Sequence, residues 1–88
     1  MNMAKEELLK DYRKRFGENL RKIREEKIKT LSGVDSLTRF DASNYNKYET
    51  GEGNPTLETI ARIATGLGVH PKDLLNFDFE LRFDDLHK

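Results

Sequence analysis

The chain has no cysteine, which excludes a disulfide framework and a thiolate metal site and fits a reducing compartment. Its two histidines, His70 and His87, are isolated and cannot build a metal cage, so neither metal nor cofactor is expected. No apolar run reaches the length of a membrane span or a signal sequence, and the opening MNMAKEELLK is charged and helix-prone. A soluble cytoplasmic protein without a membrane partner is expected. No carboxylate pair, nucleophile-base pair or metal cluster recurs at a working spacing, so the sequence does not read as an enzyme. There is also no net charge, against the basic excess usual in nucleic-acid binders. The distribution is informative: residues 1 to 72 carry 14 Lys and Arg against 11 Asp and Glu, whereas residues 73 to 88 carry 2 against 5. The chain is thus a mildly basic body with an acidic tail. At 88 residues and 35% hydrophobic content it forms one domain with a small core, for which dimerisation would help.

What is present centres on DASNYNKYETG, residues 41 to 51. Asp41 is a good N-cap and Gly51 a good left-handed stop, which predicts a helix over 42 to 50. Tyr45 and Tyr48 lie three apart and share a core-facing side. Ala42, Ser43, Asn46 and Lys47 are left on the other side. That face is either simply solvated or suited to a major groove, where Asn pairs adenine, Ser meets either kind of base edge and Ala touches a thymine methyl.

Before this stretch, Leu8, Leu9, Tyr12, Phe16, Leu20 and Ile23 recur at three and four, predicting an amphipathic helix over residues 4 to 28. The stripe passes through Gly17 in phase, which favours one continuous helix over a break near Arg15. The basic residues Arg13, Lys14, Arg15, Arg21 and Lys22 form either a solvated face or phosphate contacts. Thr30 can cap a short helix over 31 to 37. Gly33 and several weak helix formers leave a second reading, in which SGVDS is the turn and the next helix starts near Asp35. Beyond Gly51, GEGNP is a turn lacking the Lys-Ser/Thr sequel of a phosphate-binding loop. Residues 56 to 68 read as a core helix, with Leu57, Ile60, Ala61, Ala64 and Leu67 on one face. Pro71 opens a last short helix that buries Leu74 and Leu75, with His70 at its cap.

In residues 77 to 83, Phe77, Phe79, Leu81 and Phe83 alternate with charged residues, the period of a strand with one apolar face. No second strand-like run exists to pair with it. The simplest partner is the same strand of a second copy across a two-fold axis; the alternative is a tail that docks on its own helices or stays disordered.

The runs FGENLRKIREEK (16 to 27), KYETGEGNPTLETI (47 to 60) and LGVHPKDLL (67 to 75) together resemble the phage-repressor (Cro/XRE-type) helix-turn-helix family, over residues 16 to 75. The resemblance implies an all-α, compact five-helix domain over 1 to 76. Added to it are the extended N-terminal helix and, over 77 to 88, a C-terminal β-strand tail that dimerises through Phe77, Phe79, Leu81 and Phe83. It implies that 42 to 50 is the recognition helix, with Ala42, Ser43, Asn46 and Lys47 at base edges and Thr30, Asn44, Gly53 and Asn54 near phosphates. Arg24 and Glu49 match a structural salt bridge of the family. Three positions depart from the pattern: Leu31 stands where Gln is common, Asp35 where a small Ala packs, and Arg39 where the turn has Gly. Asp35 is therefore expected to need a partner and Arg39 to take a positive φ. The function implied is that of a sequence-specific DNA-binding, repressor-like transcriptional regulator acting on double-stranded DNA as a homodimer. The alternative is a protein-interaction module of the same fold, antitoxin-like or an accessory subunit.

Overall fold

The computed structural model describes residues 5–39 and 41–86, apart from the side chains of Thr38, Phe83 and Asp85. Ala4, where the first helix was expected to begin, lies outside the described residues. Five helices follow in the expected order: α1 (Lys5–Lys27), α2 (Leu31–Thr38), α3 (Ala42–Thr50), α4 (Leu57–Leu67) and α5 (Pro71–Leu74), with a single further turn, α6 (Phe83–Leu86). α1 runs unbroken through Gly17. The reading of SGVDS as a turn is excluded, because those residues lie within α2.

Helices α2 to α5 begin where the sequence supplies an acceptor. The Thr30 hydroxyl oxygen accepts from Gly33 N at 3.1 Å, the Asp41 carboxylate from Ser43 N at 2.8 Å, and the Thr56 hydroxyl oxygen from Thr59 N at 3.1 Å. Ahead of α5, the Asp73 carboxylate accepts from His70 N at 3.1 Å, so His70 serves at a cap. Such caps contribute about 1 kcal/mol each. They matter most for α2, whose eight residues are too few to be stable alone.

The core gathers Phe16 and Leu20 of α1, Val34 of α2, Tyr45 of α3, Ile60, Ile63, Ala64 and Leu67 of α4, and Leu74 of α5. Burying an aliphatic or aromatic side chain of this size contributes roughly 1.5–3 kcal/mol. Two apolar assignments need correction. In α4 the buried stripe is Ile60, Ile63, Ala64 and Leu67; Leu57 is 82% exposed and Ala61 is exposed, because the buried face of α4 is turned toward Ile63 and away from Leu57 and Ala61. In the last helix Leu74 is fully buried but Leu75, one residue on, points outward and is 43% exposed. Asn19 ties this end to α1, its side-chain amide donating to Asp73 O at 2.9 Å and Leu74 O at 3.1 Å.

The expected C-terminal strand is a second correction: no strand occurs among the described residues. Residues 77 to 82 form an irregular segment leading into α6. The period of two is nevertheless real, since Phe77, Phe79 and Leu81 are half-buried while Asp78, Glu80 and Arg82 are exposed. The apolar face is covered by α1. The Tyr12 ring lies 5.4 Å from those of Phe77 and of Phe79, Phe77 also meets Phe16 at 6.4 Å, and Arg15 donates to Asp78 O at 2.9 Å. The Phe83 side chain, the last of the expected strand face, lies outside the described residues.

Candidate nucleic-acid interface

α2 and α3 are joined by a tight turn. Arg39 caps α2 at φ 61°, ψ 29° and donates its N–H to Asp35 O at 2.9 Å. The left-handed conformation expected of Arg39 is therefore present at a residue with a side chain. Asp35, expected between two helices, is instead exposed, so water solvates its carboxylate and no buried partner is required.

On α3 the structure separates support from display. Tyr45 and Glu49 are buried and Tyr48 is half-buried, whereas Ser43, Asn44, Asn46 and Lys47 are exposed and Ala42 is half-buried. Among the described residues, no hydrogen bond or ion pair engages the side chains of Ser43, Asn44, Asn46 or Lys47. The result is a short outward row of hydroxyl, two amides and an ammonium, all able to donate.

The supporting side is held by the Arg24–Glu49 pair, which is two-pronged: Nε donates to Oε2 at 2.5 Å and Nη2 to Oε1 at 3.1 Å, while Nη1 reaches Lys29 O at 3.4 Å. Both side chains are buried. The hydrogen bond to Glu49 holds the Arg24 guanidinium above its ordinary pKa, against the opposing effect of burial. Beside them the fully buried Tyr45 hydroxyl is pushed far above the usual phenol range, first by burial and then by the Glu49 charge. The pair is thus a fixed ionic clamp between α1 and the end of α3.

The flanking phosphate candidates differ in what they offer. Thr30 is exposed, and its oxygen caps α2 while its hydroxyl proton can donate outward. Gly53 is less available than expected: its N–H already donates to Lys47 O at 3.0 Å. Its backbone lies so flat on Tyr48 that a Cβ would stand 2.5 Å from the ring. Asn54 next to it is exposed. Glu52 accepts from the Thr50 hydroxyl at 2.8 Å and places a carboxylate on the same loop. Of the basic residues on α1, Arg15 is engaged with the tail and Arg21 pairs with Glu25 at 3.5 Å. No cluster of three metal-ligating side chains exists among the described residues, and no described helix is long and apolar enough to cross a membrane.

A family model described as a helix-turn-helix domain matches residues 15–77. The chain belongs to the helix-turn-helix family, and within it to the phage-repressor (Cro/XRE) type of DNA-binding transcriptional regulators. It is 34% identical over 65 residues to an uncharacterised HTH-type transcriptional regulator of Sinorhizobium fredii, spanning 74% of this chain and 84% of the relative. It is also similar to the crystal structure of the restriction-modification controller protein C.AhdI from Aeromonas hydrophila. That similarity has a TM-score of 0.67 and 31% identity, and covers 70% of this chain and 94% of the other.

Against this helix-turn-helix frame, the residues that sequence reasoning missed are the ones that hold α1 to its neighbours: Asn19 at α5 and Arg15 at the tail. Their signal was faint, because one amide or one guanidinium on a charged helix is ordinarily solvated.

Proposed function

We propose that this helix-turn-helix protein is a sequence-specific, repressor-like regulator of transcription in the cytoplasm, with α3 lying in the major groove of double-stranded DNA. The observation that carries the reading is the row Ser43, Asn46 and Lys47, exposed and unengaged on a helix whose other side is clamped to α1. Asn46 supplies the donor and acceptor pair that fits adenine, and Ser43 and Lys47 donate to acceptors on neighbouring bases; Ala42 lies where a thymine methyl would touch. Thr30, Asn44 and Asn54 position the helix by donating to phosphates. They are neutral and add no counterion release.

The protein acts as a homodimer on half-sites about one helical turn, ~34 Å, apart. The dimer we propose does not pair two tail strands, since Phe77 and Phe79 are engaged with Tyr12 and Phe16 of their own chain.

Enrichment of a binding fragment from a random duplex pool, followed by titration at two salt concentrations, tests the proposal. With Lys47 the main cation on the reading face and Glu52 opposing it, log K against log salt should fall with a slope of about −2 to −4 for a dimer. Failure to enrich any sequence, together with no salt dependence, would instead favour a protein-interaction module of the same fold.

A further inference from the structure

The end of the recognition helix meets α1 backbone to backbone, and two glycines permit it. On α1, buried Gly17 faces the last turn of α3: a Cβ built there would stand 2.5 Å from Tyr48 O, 2.7 Å from the Glu49 carbonyl carbon, and as close to Glu49 O. One turn earlier on α1, the backbone of Lys14 faces Gly51, where a Cβ would stand 2.8 Å from Lys14 Cα and 3.1 Å from Lys14 N. All of these neighbours are backbone atoms of the two helices, which cannot swing aside as a side-chain tip can. Gly17 also explains why a long amphipathic helix tolerates a poor helix former in its middle. Further along α1, Arg24 holds the Glu49 carboxylate.

We infer that Gly17 and Gly51 are positioning residues for DNA reading: together they set how deeply α3 is seated on α1, and hence how far Ser43, Asn46 and Lys47 project. The inference rests on the proposed DNA-binding function for its consequence, but the seating itself can be measured without DNA. A Cβ at either position lifts the C-terminal turn of α3, and the loop carrying Gly53 and Asn54 moves with it, because Glu52 N and Gly53 N both donate to Lys47 O. Base-reading and phosphate-positioning groups would then shift together, which distinguishes seating from loss of any one contact.

The test compares Gly17→Ala and Gly51→Asn with Gly68→Asn. Gly51 and Gly68 both follow helices at positive φ, 84° and 74°, a conformation that Asn tolerates better than most residues, but nothing lies within 4 Å of a Cβ at Gly68. The Gly68 variant therefore carries the same change of residue type without the approach to α1. Amide resonances of residues 42–54 should move in the first two variants and stay in place in the third. Affinity for the enriched fragment, measured where circular dichroism shows all three folded, should fall roughly tenfold in the first two, the order of one lost base-reading pair. The melting temperature of Gly17→Ala adds a sign test, since helix propensity alone would raise it and the close approach lowers it. Unmoved resonances in 42–54 overturn the seating whatever happens with DNA, and wild-type affinity in both seam variants overturns its role in reading. Lack of any binding by the wild-type protein contradicts the proposed function instead, and with it the consequence for reading drawn here.

Discussion

At Glu49 the seating of α3 on α1 depends on one carboxylate. Removing it leaves the Arg24 guanidinium buried without its charge partner, a loss that typically costs about 3–5 kcal/mol. Glu49→Ala should therefore shift the urea midpoint strongly before any question of DNA arises. An unfolding free energy within about 0.5 kcal/mol of wild type would mean that the clamp contributes little. The neighbouring Tyr45 hydroxyl makes a complementary case. Its pKa is raised on folding from the ordinary value of 10.0, so the folded state holds the phenol proton more tightly than the unfolded state. The resulting stability is complete below pH 10 and is lost as pH climbs through the higher folded value, at about 1.4 kcal/mol per pH unit while only the unfolded phenol ionises. Thermal melts between pH 8 and 11.5 should show a shallower alkaline decline for Tyr45→Phe than for wild type. Equal slopes would assign the decline to other groups.

At the scale of elements, local chemistry decides what can be read in advance. Asp41 and Gly51 bracket α3 at both ends, so its bounds and its outward face were legible from eleven residues. α2 was harder, because Leu31, Asp35 and Arg39 each break the family pattern, and a reading with SGVDS as the turn and the next helix starting near Asp35 stood beside it. Its geometry is settled by the Thr30 cap and by the packing of Val34, fully buried in the core. The cost falls on Arg39, since a non-glycine residue in the left-handed region is strained by roughly 1–2 kcal/mol. After allowing for the greater chain entropy of glycine, Arg39→Gly should stabilise the domain by about 0.5–1 kcal/mol in denaturant melts. A destabilised variant would show that the Arg39 side chain contributes more than its backbone strain costs. For α4, residues 60, 64 and 67 of the expected stripe are buried. The error over Leu57 and Ala61 against Ile63 is a small rotation of the face, which helical spacing alone cannot resolve at the edge of a small core.

At the scale of the whole molecule, alternation in the tail was legible but its partner was not. Periodicity reports that one side of a segment is covered, and a helix face can cover it as well as a strand can. Here Tyr12, Phe16 and Arg15 of α1 do so, which makes the tail part of the fold. Each aromatic pair of this kind adds about 0.5–1.5 kcal/mol beyond its buried area. Truncation after residue 76 should accordingly lower the melting temperature by several degrees. An unchanged melt would show the tail to be dispensable, and light scattering on the same pair reports whether it contributes to the proposed dimer.

The candidate interface was legible because small polar residues opposite a Tyr-Tyr face are visible as a pattern; the seam that seats the helix was not, because a glycine's role depends on which backbone comes near it. The proposed reading role of α3 is tested most directly by the affinity of wild type and of the Asn46→Ala, Lys47→Ala double variant for the enriched duplex at fixed salt. Both side chains are exposed and unengaged, so the melting temperature should stay within about 2 °C. The dissociation constant for that sequence should rise roughly a hundredfold, as expected for two lost contacts of about 1–3 kcal/mol each. An equally stable double variant that binds the fragment as tightly as wild type would contradict the assignment of α3 as the reading element.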